Sequence, residues 1–217
     1  MKFSKSELNK VKRGAKKATY NKKEIYQILD TTEICNVAFI YRGRAFVQPI
    51  NYGRDGDSIY LHGALKNRMT NALIESGEAS LNVMLLDDMK LTRSAFHHSV
   101  NYRSVTVFGK VSELKSDVEK LKGLKSIINH FVPNRWEFCR APNKNELKAT
   151  RVIEIKIETA AAKIANGPIE DKESDLNLDF WAEETPVKTS YFRPFPDNKL
   201  NKEIEIPKYI MEFYKNK

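Results

Sequence analysis

The chain has 217 residues, of which 41% are hydrophobic and 10% aromatic, with two cysteines and a formal net charge of +9. That size and apolar content suit one well-cored domain with appendages rather than two full domains, and no apolar run approaches the roughly 20 residues of a membrane span. Cys35 and Cys139 are too few for a secreted disulfide framework and no apolar leader core follows the N-terminus, so a cytoplasmic protein with reduced thiols is the expectation.

The charge is unevenly spread. Residues 1–23 hold nine lysines and arginines against Glu7 alone, a net of +8, which leaves the rest of the chain only +1. A basic segment can touch polyanions. A dedicated nucleic-acid binder, however, carries its basic face on the folded body with stacking aromatics between the charges. The nearly neutral body therefore argues against nucleic acid as a partner.

After the basic segment, "NKKEIYQILDTT" puts Ile25, Ile28 and Leu29 at helical spacing behind Asn21 as N-cap, with Glu24 three residues on. The run "CNVAFIYRGRAFVQPINYGRDGDSIYLHG" is cut by "YRGR" and "GRDGD", which are hairpin turn signals, and reads as strands near 35–41, 44–51 and 57–62. "LKNRMTNALIESG" reads as a helix with Leu65, Met69, Ala72 and Leu73 on one face and Gly77 as C-cap. Two strands, "ASLNVMLLD" and "MKLTRSAF", are expected to flank a turn at Asp87-Asp88, and "RSVTVFGKVSEL" alternates as a half-buried strand. "DVEKLKGLKSIINHFV" is an amphipathic helix ending before Pro133, and "TRVIEIKIETAAAKI" is a late strand. "NGPIEDKESDLNLD" is a polar linker, and the remaining tail holds three central prolines and a final short helix. No internal repeat is visible, and hairpin strands decorated by helices argue for an antiparallel, barrel-like sheet.

The stretch "SAFHHSVNYRSVTVFGKV" places His97 and His98 side by side. Neighbours in extended chain point to opposite faces, and no Cys-x-x-Cys or His-Glu-x-x-His accompanies them, so a shared metal is disfavoured. There is no Gly-x-Ser-x-Gly elbow, and Cys35 in "CNVAFI" reads as a small core residue. Phosphate binding fares better. "HGALKNRM" runs from a strand into a helix, so Lys66, Asn67 and Arg68 stand where free amides and the helix dipole favour an anion. Arg103-Ser104, at a strand start, is a second donor pair suited to phosphate oxygens.

Five blocks, "KRGAKKATYNKKEIYQILD", "CNVAFIYRGRAFVQPINYG", "IYLHGALKNRM", "LTRSAFHHSVNYRSVTVFGKV" and "FWAEETPVKTSYFRPFPDNKL", resemble in order those of the pyridoxamine 5'-phosphate oxidase-like flavin-nucleotide-binding proteins, in the branch with the nitroimidazole-resistance proteins. The resemblance covers nearly the whole chain, and "SAFHHSVNYRSV" is its most specific block. It implies a mainly β fold with peripheral helices, an antiparallel FMN-binding split β-barrel, and a homodimer with flavin at the interface. The segment from His62 and Gly63 through Lys66, Asn67 and Arg68 is similar to the family's phosphate-gripping turn. Arg103 and Ser104 resemble its second phosphate and ribityl contact, and Pro49, Ile50 and Asn51 the strand beside the flavin ring. His97, His98 and Tyr102 would then rim the pocket and Trp181 would cover the flavin. The chain departs from pyridoxamine phosphate oxidases proper in having Arg68-Met69 for Arg-Lys, Ser104 for Gln, and "WAEETPV" after the tryptophan.

These implications divide the chain into a basic segment at 1–20, an FMN-binding split-barrel domain at 21–165, and a linker and C-terminal extension at 166–217 that packs on the barrel or on the dimer partner. The expected activity is an oxidoreductase that uses FMN, NADH or NADPH as donor and a small-molecule acceptor. The alternatives are a haem-binding split-barrel protein, with His62, His97 or His98 as axial ligand, and a flavin-binding module without turnover. No side chain stands out as acid or base.

Overall fold

The computed structural model describes residues 1–201 and 203–215. Strand formation follows the alternation in the sequence. In β2 (Ile34–Tyr41), Cys35, Val37 and Phe39 turn inward and are buried, while Ile34, Asn36, Ala38 and Ile40 face outward. The turn to β3 (Arg44–Asn51) uses Arg42 at φ 50° and Gly43 at φ 72°, the left-handed pair that a two-residue hairpin requires. β4 (Gly53–Asp55) and β5 (Ser58–Ala64) make the next hairpin. The long strands β6 (Glu78–Leu91), β7 (Ser99–Leu114) and β8 (Thr150–Ala165) complete the antiparallel order β3-β2-β6-β7-β8-β5-β4. β3 and β4 end this path without pairing to each other, so the barrel is split. Pro49, which has no N–H to give, sits on the terminal strand β3 where the ladder can spare it.

The inner faces of β2, β6, β7 and β8 form the core with Leu81, Val83, Val105, Val107, Ala160 and Ala162. Two helices close it. α1 (Lys22–Leu29) starts at Asn21, whose side chain accepts from Lys23 N, and buries Ile25, Ile28 and Leu29. α2 (Arg68–Ser76) starts at Asn67, ends at Gly77 with φ 69°, and buries Met69, Ala72 and Leu73. Each such side chain contributes up to about 1.5–3 kcal/mol of hydrophobic stabilisation, which exceeds the cap bonds of about 1 kcal/mol. α3 (Asp117–Phe131), with a full capping box from Ser116 and Glu119, lies against β4 and a smaller cluster of Tyr60, Leu114, Ile127 and Val152. α4 (Lys144–Ala149) leads into β8.

The segment around Asp87 departs from expectation. Asp87-Asp88 is not a turn: β6 runs on to Leu91, and the register shift between Leu86 and Asp88 is a bulge opposite β7. β7 begins at Ser99 rather than 103, and the turn falls at 92–98. A bulge absorbs one extra residue and lets the ladder continue, so the two acids mark a kink within a strand.

The two ends of the chain are also placed. The basic segment docks on the barrel through buried Phe3 and Asn9 and through β1 (Ala18–Thr19), which pairs with β8. Residues 167–171 are held by Lys90 Nζ, which donates to the carbonyls of Gly167 and Pro168, and by the Arg93–Asp171 ion pair at 2.9 Å. β9 (Glu183–Pro186) then joins the far end of β6. α5 (Lys208–Lys215) packs beside residues 135–138: Tyr209 stacks on Phe138 and its hydroxyl accepts from Arg135. The remainder of the expected 166–217 extension, residues 202, 216 and 217, lies outside the described residues. Among the described residues no helix is long and apolar enough to cross a membrane.

Candidate functional site

The expected site residues fall into two groups. The first lies where β5 passes into α2. Asn67 N donates to Ala64 O at 2.9 Å to close the turn, and Asn67 Oδ1 accepts from Thr70 N at 3.1 Å to cap the helix. A Cβ on Gly63 would approach the Asn67 side chain to 3.1 Å, so the small residue there lets the turn fold tightly. Arg68 lies with its guanidinium 4.5 Å from the Phe46 ring and 5.2 Å from the Tyr41 ring. Lys66 and Arg68 form no ion pair among the described residues, which leaves both charges available to an anion. His62, in β5 opposite Val152, has a buried Nδ1 with no hydrogen-bond partner among the described residues. Burial lowers its pKa below the ordinary 6.5 and favours the neutral ring.

Pro49, Ile50 and Asn51 pair with Asn36, Cys35 and Ile34. Pro49 is exposed on the outer face and Ile50 packs on the core. Register links Pro49, Asn36, Asn82, Thr106 and Ala161 into one row across the outer face of five strands. Asn82 Nδ2 donates to Val105 O at 2.9 Å and to Thr106 Oγ1 at 3.1 Å, fixing the middle of that row.

The second group gathers at the far end of β6 and β7. Ser104 shares the outer face and sits between Met84 and Lys163. Lys163 Nζ lies 6.0 Å from the Tyr102 ring centre. Arg103 makes a two-point contact with Asp87, with Nη2 2.7 Å from Oδ1 and Nε 3.0 Å from Oδ2. His97 packs edge-on to exposed Phe96, and His98 Nδ1 lies 3.1 Å from Ser94 O. Both histidines belong to the turn at 92–98 and not to a strand. Trp181 is 79% exposed, and its Nε1 donates to Glu183 Oε2 at 2.9 Å. Among the described residues no group of three or more His, Cys, Asp or Glu could hold a metal.

One chain does not bring the two phosphate-donor pairs together. Gly77, at the end of α2, accepts from Val111 N, and Arg103 lies eight residues back along β7. That is roughly 26 Å of strand. Arg68 stands over Tyr41, which extends past Glu78, the start of β6, because Ala38 faces Ser80. Arg68 and Arg103 therefore stand at opposite ends of the sheet, both in the phase of its inner-face residues, Arg68 over Tyr41 and Phe46 and Arg103 two residues before Val105. Sequence reading also missed Asp87 as the partner of Arg103, and Lys163 and Thr106 as neighbours of Ser104. Their signal exists only in the strand pairing.

An open antiparallel barrel, closed by two short helices and carrying polar side chains across its outer face, defines the split β-barrel class seen in pyridoxamine 5'-phosphate oxidase-like folds. The chain belongs to the pyridoxamine 5'-phosphate oxidase family, whose model matches residues 21–164. It is 31% identical to the flavocytochrome Anf3 from Azotobacter vinelandii, with a TM-score of 0.89 over 96% of this chain and 97% of that one. It is 28% identical to a FAD and haem binding protein from Mycobacterium smegmatis, with a TM-score of 0.85 over 91% of this chain and 97% of that one. A protein named for 5-nitroimidazole antibiotic resistance, from Bacteroides thetaiotaomicron VPI-5482, shares the fold at 20% identity and a TM-score of 0.58, over 68% of this chain and 86% of that one. No curated protein matches the sequence.

Proposed function

We propose that the protein is a flavin-nucleotide oxidoreductase that works as a homodimer, with flavin held between the outer sheet face of one copy and the α2 turn of the other. The observation that carries this reading is the division of the site: a family-type phosphate turn at one end of the sheet and a family-type Tyr102-Arg103-Ser104 block at the other. A second copy can supply whichever half the first lacks. Family membership supports a flavin, and FMN is the nucleotide that the sequence blocks resemble.

The residues present fit such a ligand. Lys66, Arg68 and the first amides of α2 form an anion-receptive turn, and exposed Pro49 and Asn36 beside half-buried Asn82 give an apolar and amide surface suited to a flat ring. A bound flavin supplies hydride or single-electron transfer at its ring. The chain's own contribution is to bind the nucleotide and leave one ring face accessible to a reduced nicotinamide donor and a small acceptor. The polypeptide positions the reaction, and no protein acid or base is assigned to it.

A second reading adds haem. The 31% identical relative is named a flavocytochrome, and His62, whose ring burial favours in the neutral form and whose Nδ1 has no hydrogen-bond partner among the described residues, would be the residue to hold a haem iron. The absorption spectrum of the purified protein separates the readings: flavin bands alone support the first, and an added Soret band supports the second. Chromatography of the released pigment then identifies FMN or FAD. Colourless protein that fails to take up FMN, FAD or haem on reconstitution would overturn both. Acceptor-dependent NADH or NADPH oxidation distinguishes an enzyme from a binding module.

A further inference from the structure

We infer that the docked N-terminal segment builds a phosphate subsite against the outer sheet face, in which Lys10 and Lys163 supply charge and Ser104 and Thr106 supply hydroxyls. A cavity of about 170 Å³ lies between residues 8–11 and the outward side chains of β7 and β8, and those four residues line it with Asn9 and Phe108 among their neighbours. Its volume has room for roughly five waters, far less than the several hundred Å³ of a whole-ligand pocket. It fits a phosphoryl group or a pyrophosphate and excludes a flavin ring.

The wall is fixed before any ligand arrives. Asn9 is 3% exposed; its Nδ2 donates to Ser4 O at 2.9 Å, to Ala160 O at 3.2 Å and to Thr159 Oγ1, while its Oδ1 accepts from Ser6 N at 2.7 Å. Val11 N donates to the Tyr20 hydroxyl at 3.1 Å, and β1 pairs Ala18 with Lys163 itself. The turn at Gly14, φ 70°, brings the chain that carries Lys16 and Lys17 against Lys163, whose Nζ would stand 3.7 Å from a Cβ at Gly14. Neither Lys10 nor Lys163 has an ion-pair partner among the described residues, and Glu7, the sole acid of residues 1–23, pairs with Lys12. Lys10 and Lys163 line one cavity with no acid among its lining residues, so a bound anion would offset their mutual repulsion and accept charge-assisted hydrogen bonds. Ser104 and Thr106 present hydroxyls that can donate to the remaining oxygens.

The ligand chemistry is the phosphate of a nucleotide. Assigning it to the flavin or to a nicotinamide donor rests on the function proposed above; the existence of the subsite does not. The test is calorimetric titration of inorganic pyrophosphate into the full-length protein at low salt. Wild type is expected to bind, Lys163→Met and Lys10→Met each to weaken binding about 10-fold, and Lys163→Arg to retain it. Lys23→Met, which removes a lysine of α1 outside the cavity, is expected to change nothing. The inference is overturned by a wild type that does not bind pyrophosphate, by equal binding in Lys163→Met and wild type, or by an equal loss in Lys23→Met, which would report general charge alone. Should Lys163→Met fail to fold, the loss in Lys10→Met and the retention in Lys163→Arg decide between the same outcomes. Displacement of pyrophosphate by FMN or FAD assigns the subsite to the flavin, and displacement by NADPH alone assigns it to the donor. Displacement by none of them overturns the nucleotide assignment. A wild type that binds pyrophosphate yet takes up no flavin leaves the subsite standing and sinks the flavin reading.

Discussion

At the scale of single residues, burial controls charge at two histidines. His130 donates from Nε2 to Thr32 O at 2.8 Å and packs on the Tyr52 ring at 4.5 Å, with Asp30, Glu33 and Arg54 as the charged groups facing it. Burial is the largest influence and holds its folded pKa below 6.5, as it does for His62. The unfolded chain therefore binds more protons as the pH drops below about 6.5, and the stability tied to neutral histidine is full above that pH and lost on acidification toward the folded value. Melting temperature should fall between about pH 7.5 and pH 5.5, and His130→Gln should fall less over the same interval. Parallel curves for the two proteins would sink the assignment to His130. Arg68 offers a second prediction. Unlike Arg103, which is engaged by Asp87, it has no carboxylate partner among the described residues. Arg68→Ala should weaken FMN binding roughly 10- to 100-fold and leave riboflavin, which lacks the phosphate, unchanged. Equal losses for both ligands would mean that Arg68 supports the Phe46 and Tyr41 rings rather than the phosphate.

At the scale of elements, β4 and α3 meet at a distance that only glycine permits. A Cβ at Gly53 would lie 2.4 Å from Ile127 N and from the carbonyl carbon of Ser126, both of them helix backbone that cannot rotate away. Gly53→Ala should cost at least about 3 kcal/mol, the upper range of an overpacked core, and denaturant unfolding should show it; a cost below about 1 kcal/mol would mean that α3 slides freely on the sheet. Nothing in "INYGRDGD" announces this requirement, because Gly53 reads there as turn punctuation. Much else was legible. Alternation of Val105 and Val107 gave β7 its inner face, "YRGR" located a hairpin, and Asn67 and Gly77 bounded α2. Asp87-Asp88 misled because acids that mark a turn also suit a bulge, and only pairing with β7 distinguishes the two. The site was legible as motifs and illegible as geometry. "HGALKNRM" and "NYRSV" each read as phosphate donors, but their placement at opposite ends of the sheet depends on strand order. The same holds for Lys163, an outward residue of "TAAAKI" that acquires meaning only beside Ser104.

At the scale of the whole molecule, the outer face of β3, β2 and β6 remains apolar and open. Val47 is 69% exposed, Ile40 64% and Met84 57%, with Ile34 and Leu86 extending the same face. These side chains lie on both sides of the Asn36–Asn82 row, large exposed apolar groups on one face suit an interface, and a two-fold pairing would cover them on both copies at once. In the proposed dimer the same pairing would supply the missing half of each cofactor site, so assembly and flavin binding are expected to be linked. Sedimentation of the flavin-loaded protein at micromolar concentration should give a dimer, and dilution should release flavin in step with dissociation. Val47→Asp places a charge at the centre of the face without touching the buried core. It should shift the equilibrium toward folded monomer and weaken flavin uptake, with circular dichroism unchanged. Because binding is shared between copies, higher protein concentration should recover part of the lost uptake. A monomeric Val47→Asp protein that holds flavin as tightly as wild type would place the whole site within one chain. The roughly 26 Å of strand between Arg103 and Val111 would then have to be bridged by an extended nucleotide and not by a second copy.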